Sequence, residues 1–271
     1  MRIQYWIMAV LAAALTTAMT SVPASAAATS AGPGGTAGPT STPGGVSGGS
    51  TNEATFLAIV VPEKLADIRA KFTVPTVQCT SSPSVMKATA QVFALPGPDH
   101  AASQGGRLAG TGAARTQQLI TVAASVVATC TGGSPSYQAQ AFGTPLAMTV
   151  SPGDTVRLSA SFDPTTTPQQ QSATVDDITT GTAVTRTRTD KGGFAPISSF
   201  AGVQRAKRMP VPDFGAITWS RVRVNGAPIG SAAELFGFNL IRSIAHPQVL
   251  IQTSMLSPSG DSYTTTWVAA H

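Results

Sequence analysis

Acid–base and nucleophilic chemistry needs carboxylates, imidazoles or thiols at matched spacing, and this chain is poor in all three. Glutamate occurs only as Glu53, Glu63 and Glu234. Asp176 and Asp177 are adjacent and could divide the roles of acid and base. Ahead of Thr179-Thr180-Gly181, however, they read first as a strand end entering a turn. Asp99-His100 lies among Pro, Gly and Ala and reads as an exposed loop, not as part of a hydrolase triad. Asp213-Phe214-Gly215 lacks the lysine strand and catalytic loop of a kinase. The glycines between 105 and 112 lack the strand–helix context of a phosphate loop. Two cysteines and three scattered histidines (His100, His246, His271) have no metal-ligand spacing, so neither metal nor cofactor is expected.

The basic residues are better grouped. Arg205, Lys207 and Arg208 cluster, while Arg186/Arg188 and Arg221/Arg223 repeat at strand spacing. Together they suggest a groove for an anionic polymer; singly they are solvated strand faces. With 17 Lys+Arg against 12 Asp+Glu and only 11% charged residues, the +5 charge is too dilute to imply nucleic-acid binding.

The elements that must position these residues follow from the punctuation. Arg2, an apolar run over 7–15 and Ala24-Ser25-Ala26 read as a signal peptide over residues 1–26. The run is too short for a membrane anchor, which needs ~20 apolar residues. Residues 27–51, nearly all Gly, Ser, Thr, Pro and Ala, read as a flexible leader. The folded domain is then expected over 52–271. Export implies that Cys79 and Cys130 form a disulfide, closing a loop worth roughly 4 kcal/mol on the chain-entropy model.

Within the domain, β-branched runs at 56–61, 71–77, 119–129, 146–150 and 155–161 predict strands. Further runs lie at 172–177, 182–189, 216–224, 249–254 and 262–268. Turn signals such as Pro152-Gly153-Asp154, Asn225-Gly226 and Ser259-Gly260-Asp261 separate them. Residues 232–238 are a short helix or a strand edge. Ten or more short strands with hardly a helix predict an all-β, antiparallel β-sandwich.

Seven phrases, in order, carry a family resemblance. They are Phe72-Thr73-Val74-Pro75-Thr76-Val77; Cys130-Thr131-Gly132-Gly133-Ser134-Pro135-Ser136-Tyr137; Val150-Ser151-Pro152-Gly153-Asp154-Thr155-Val156; and Asp177-Ile178-Thr179-Thr180-Gly181. Then come Pro212-Asp213-Phe214-Gly215, Val224-Asn225-Gly226 and Ser257-Pro258-Ser259-Gly260-Asp261-Ser262-Tyr263. Over about residues 52–271 the chain resembles the glutamic peptidases, or eqolisins. That resemblance implies a concanavalin A-like sandwich and an acid-acting endopeptidase. In such an enzyme a Glu is the general base on water and a Gln helps hold the oxyanion.

Residue by residue, the resemblance implies a lost dyad. Ala123 stands where the family's Gln-x-Gly-Val phrase has Gln, and Phe200 where its Ala-Glu-Trp-Ile-Val-Glu phrase has the base. Gln204 replaces the second Glu. The cleft phrases degenerate as well, with Glu53, Val92, Pro96, Gln140 and Phe142 at the expected lining positions. Losing one oxyanion donor costs on the order of 10²–10³ in turnover, and losing a positioned base ~10²–10⁴. Neither a methyl nor a benzyl group can ionise or donate. The expectation is a secreted, extracellular, monomeric pseudoenzyme whose groove binds an unidentified polymer or protein. The alternative is a divergent acid endopeptidase using Asp176 or Gln118, the latter if an insertion shifts the frame before Cys130.

Overall fold

Period-two burial in one long segment sets the architecture. Met86, Ala88, Ala90, Val92 and Ala94 are fully buried, whereas Lys87, Phe93 and Leu95 between them are partly exposed. That is the signature of a strand with one face on a core and the other turned outward. The computed structural model describes residues 46–61, 64–96, 119–206, 209–245 and 247–270.

Two sheets share one strand. The first runs β12 (Ala216–Val224), β16 (Tyr263–Trp267), β15 (Val249–Thr253), β14 (Leu235–Ile241) and β2 (Glu53–Ile59). It continues through β11 (Phe194–Arg205), β4 (Ser84–Pro96), β5 (Ile120–Thr131), β6 (Ser134–Ala141) and β7 (Thr144–Pro145). The second runs β10 (Thr182–Asp190), β9 (Gln169–Asp177), β8 (Thr155–Asp163), β3 (Ala66–Thr73) and again β12. A short β13 (Ala227–Pro228) pairs with β12, and β1 (Val46–Ser50) runs parallel to β14.

β12 turns the corner. Ala216 to Trp219 pair with β16, and Ser220 onward with β3, across a register shift at which Arg221 takes φ 52°. Bulged strands that change sheets close sandwiches in this way.

The sheets pack face to face, β4 and β5 over β8 and β9, and β11 over β3. Small residues (Ala88, Ala90, Ala124, Ala128) and bulky ones (Phe72, Leu158, Phe162, Trp219) share the core between them. The Phe72 and Trp219 rings lie 4.9 Å apart, and the Trp219 indole donates to Thr265 Oγ1 at 3.1 Å. Cys79 and Cys130 form the expected disulfide, with Cα atoms 5.4 Å apart. The antiparallel sandwich expected from the sequence is therefore the fold.

Three expectations differ. The strand predicted at 146–150 is loop, while β4, β6 and β11 are strands that no β-branched run signals. Of the two alternatives for residues 232–238 the strand holds, since Leu235 to Phe238 belong to β14, after a single 3-10 turn at Ile229–Ser231. Pairing also begins at Val46, inside the stretch assigned to the leader. Gly48 and Gly49 lie against Phe238 and Ile241, and a Cβ on Gly49 would stand 2.9 Å from the Ile241 side chain. The glycine composition there serves close backbone approach.

Candidate functional site

The outer face of the first sheet carries Ala123 and Phe200, the two positions that the resemblance gives to the dyad. Ala123 on β5 pairs directly with Gln91 on β4, and Gln91 with Phe200 on β11. Directly opposed residues project to the same side, so a methyl, a carboxamide and a ring form one row. Leu57 on β2 extends it. Phe200 is fully buried, Ala123 and Gln91 nearly so at 3% exposure, and the Phe93 ring packs on Phe200 at 5.6 Å.

Phe142 sits at the opposite end. It opens the two-residue turn between β6 and β7 with φ 53°, a conformation rare for a bulky residue. Its amide donates to the Ala123 carbonyl at 2.8 Å, and the Arg188 guanidinium covers its ring at 4.5 Å.

No group in this row ionises. The flanking residues on the same face (Phe93, Ser198, Gly202, Thr89, Thr121 and Ser125) add hydroxyls and a ring but no carboxylate. The row can offer one amide, from Gln91.

One step along the strands lies a hydroxyl row of Thr55, Gly202, Thr89, Ser125 and Gln140. Thr55 donates to the Ala201 carbonyl at 2.5 Å and Thr89 to that of Ala124 at 3.1 Å. The buried Ser125 hydroxyl has no hydrogen-bond partner among the described residues. Gln140 donates to the Gln138 side-chain oxygen at 3.1 Å.

A further step brings Glu53, Gln204 and Lys87 into one row on β2, β11 and β4. All three are partly exposed. The Gln204 side chain lies beside the Glu53 carboxyl and favours its charged form. Partial burial nevertheless pushes Glu53 above the usual carboxylate range, Gln204 opposing it. Burial pulls Lys87 below the usual ammonium range. Neither belongs to the ion pairs formed among the described residues, Arg69–Asp67 and Arg157–Asp176, both on the second sheet.

Val92 and Pro96 do not line this face. Val92 pairs with Ser199 and Val122 and is buried between the sheets, and Pro96 lies an even number of residues away on the same strand. One residue of offset sends a strand side chain to the opposite side. The β4 residues that do face the site are Lys87, Thr89, Gln91 and Phe93. Sequence reasoning missed Lys87 and Gln91; alternation along 84–96 was the signal that could have found them.

The described arginines do not converge on one groove. Arg205 donates to the Met209 and Arg242 carbonyls at 3.1 and 3.5 Å, Arg186 to that of Pro145 at 2.9 Å, and Arg223 to that of Gly226 at 2.9 Å. Lys207, Arg208, Asp99, His100 and Gln118 lie outside the described residues.

Asp176 and Asp177 do not act as a pair either. Asp176 accepts from Arg157 at 2.5 Å beside a shallow cavity of about 390 Å³ on the outer face of the second sheet. Asp177 is fully buried on the other face and accepts from the Thr179 and Thr180 amides and the Thr180 hydroxyl at 2.8–3.3 Å.

The sequence matches the Peptidase A4 family over residues 56–266. No curated protein matches it. Among solved structures the chain is similar to SCP-B, a member of the eqolisin family of peptidases in complex with the tripeptide Ala-Ile-His. That match has a TM-score of 0.52 and 16% identity, covering 80% of this chain and 100% of that one. Scytalido-glutamic peptidase with a transition-state analogue inhibitor is similar at TM-score 0.52 and 14% identity, covering 80% and 98%. At these identities the likeness is one of fold.

Proposed function

We propose, for a chain that belongs to the Peptidase A4 family by its match over residues 56–266, that the sandwich binds on the family's cleft face without cleaving. Its ligand would be a peptide or another polymer. The protein would act after export, as a monomer, with no cofactor. The row Ala123–Gln91–Phe200 supports this reading: the two positions that the resemblance gives to the dyad flank Gln91 on one outward face, and neither side chain can ionise or donate. A glutamic-type mechanism needs a base beside the scissile carbonyl and a donor at the developing oxyanion. The row keeps an amide at Gln91 and has no base.

Gln91 is also the observation that favours the second reading, a divergent acid endopeptidase. A digest of casein or an unstructured peptide between pH 2 and 5 decides. No specific turnover is expected. Turnover abolished by Gln91→Ala or Glu53→Gln would replace the binding reading with the enzymatic one.

A further inference from the structure

We propose that Glu53, Gln204 and Lys87 form a clamp for a short zwitterionic peptide, its free ammonium at Glu53 and its free carboxylate at Lys87. The proposal rests on the binding reading and names the ligand class for that face.

Register fixes the spacing. Glu53 opposes Gln204 and Gln204 opposes Lys87, so two ladder steps separate the charged residues. At about 4.8 Å per step this is about 10 Å. Side chains on one sheet face leave the backbone roughly parallel, so the two charged residues are rooted about that far apart. An extended chain covers up to ~3.5 Å per residue, and three residues span about the same 10 Å.

Charge fixes the polarity. Partial burial opposes the charged form of both groups, and neither has an opposite charge within ion-pair distance among the described residues. Desolvated charges without counter-ions are unfavourable alone and gain most from a ligand that supplies them. The Gln204 carboxamide, beside Glu53 on one side, keeps further donor and acceptor capacity for a central peptide group. A neutral polymer would leave both charges unanswered, and a polyanion would be repelled at Glu53.

The test is calorimetric titration of the full chain with trialanine, N-acetyl-trialanine and trialanine amide near pH 7, following peptide hydrolysis in the same samples. Saturable binding of trialanine is expected, weakened at least tenfold by either terminal block. Glu53→Gln should abolish the penalty of acetylation and leave that of amidation; Lys87→Met should do the reverse. Blocked peptides binding as well as trialanine, or no saturable binding at millimolar concentration, would overturn the clamp. Should a variant fail to fold, the blocked peptides on the unsubstituted chain decide the same question. Hydrolysis of bound trialanine would instead overturn the non-catalytic reading and leave the clamp standing.

Discussion

Phe200 and Ala123 face the same side of the sheet from β11 and β5, each in direct register with Gln91 on the strand between them. Two positions 77 residues apart in sequence are thus held two strands apart in space by the ladder itself. In the reading proposed above, these are the positions at which a base and an oxyanion donor would be aligned, and here they carry a benzyl and a methyl group. Phe200 is also fully buried, so its ring has become part of the packing.

That burial sets the consequence of placing a carboxylate at position 200. Phe200→Glu places an acid in an apolar setting with no cation in its row, raising its folded-state pKa above the unfolded ~4.3. The folded state then holds more protons between those two values, so stability falls as pH rises through that window. The variant should fold at pH 3 and be destabilised by several kcal/mol at pH 7. Thermal melts at the two pH values check it. An equal loss at both would mean that lost ring packing, and not charge burial, dominates.

Glu53 repeats the logic in the native chain. Burial raises its pKa, so its ionised form opposes folding, fully so above the raised value. Gln204, its register partner, does not ionise, and neither does Val127, which pairs with Lys87 opposite Gln204. The Arg205 guanidinium is engaged by the Met209 and Arg242 carbonyls. Glu53→Gln should therefore raise the melting temperature at pH 7 and leave it unchanged below about pH 4, where the carboxyl is neutral in both states. A uniform rise across pH would point to packing instead.

How much of this was legible follows from what each element asks of its residues. Asn225-Gly226 takes φ 52° and 79° in the two-residue β12–β13 turn, the conformation such a pair favours. The disulfide and most β-branched runs are as expected. β4, β6 and β11 escape notice because β-branched residues are few and scattered in them: in a sandwich, close approach of the sheets matters more than intrinsic strand preference. β1 is hidden by glycines that serve contact with Phe238 and Ile241. At the site, Ala123 and Phe200 share a face, yet on β4 the outward residue is Gln91 and not Val92. Sequence similarity locates a strand, but a single residue of offset decides which side chains meet.

Asp176 and Asp177 give a contrast between neighbours. Asp177 is buried and accepts three hydrogen bonds that hold the 178–181 turn. Asp177→Ala leaves those donors unsatisfied and should cost about 2–4 kcal/mol in denaturant unfolding. Asp176→Ala breaks one pair whose arginine is half exposed and should cost under ~1 kcal/mol. If Asp176 proved the costlier, the pair would be acting through more than its surface contact with Arg157.

Gly202 lies between Phe200 and Gln204 on the outward face, where β2 and β11 run in contact. A Cβ there would stand 2.4 Å from the Ala54 carbonyl oxygen and 2.6 Å from Thr55 Cβ. Neither atom can swing away, because the first is backbone in the β2–β11 ladder and the second is fixed to it. Gly202→Ala should therefore destabilise by about 1–3 kcal/mol through overpacking, despite alanine's gain in chain entropy at an ordinary φ. The Thr55 hydroxyl, 2.7 Å from the same point, is the neighbour that Thr55→Ala removes. Adding Thr55→Ala should not rescue the variant, since the carbonyl and Cβ contacts remain. Full recovery of the unfolding midpoint in the double variant would show that side-chain crowding, and not the close approach of the two strands, makes glycine necessary there.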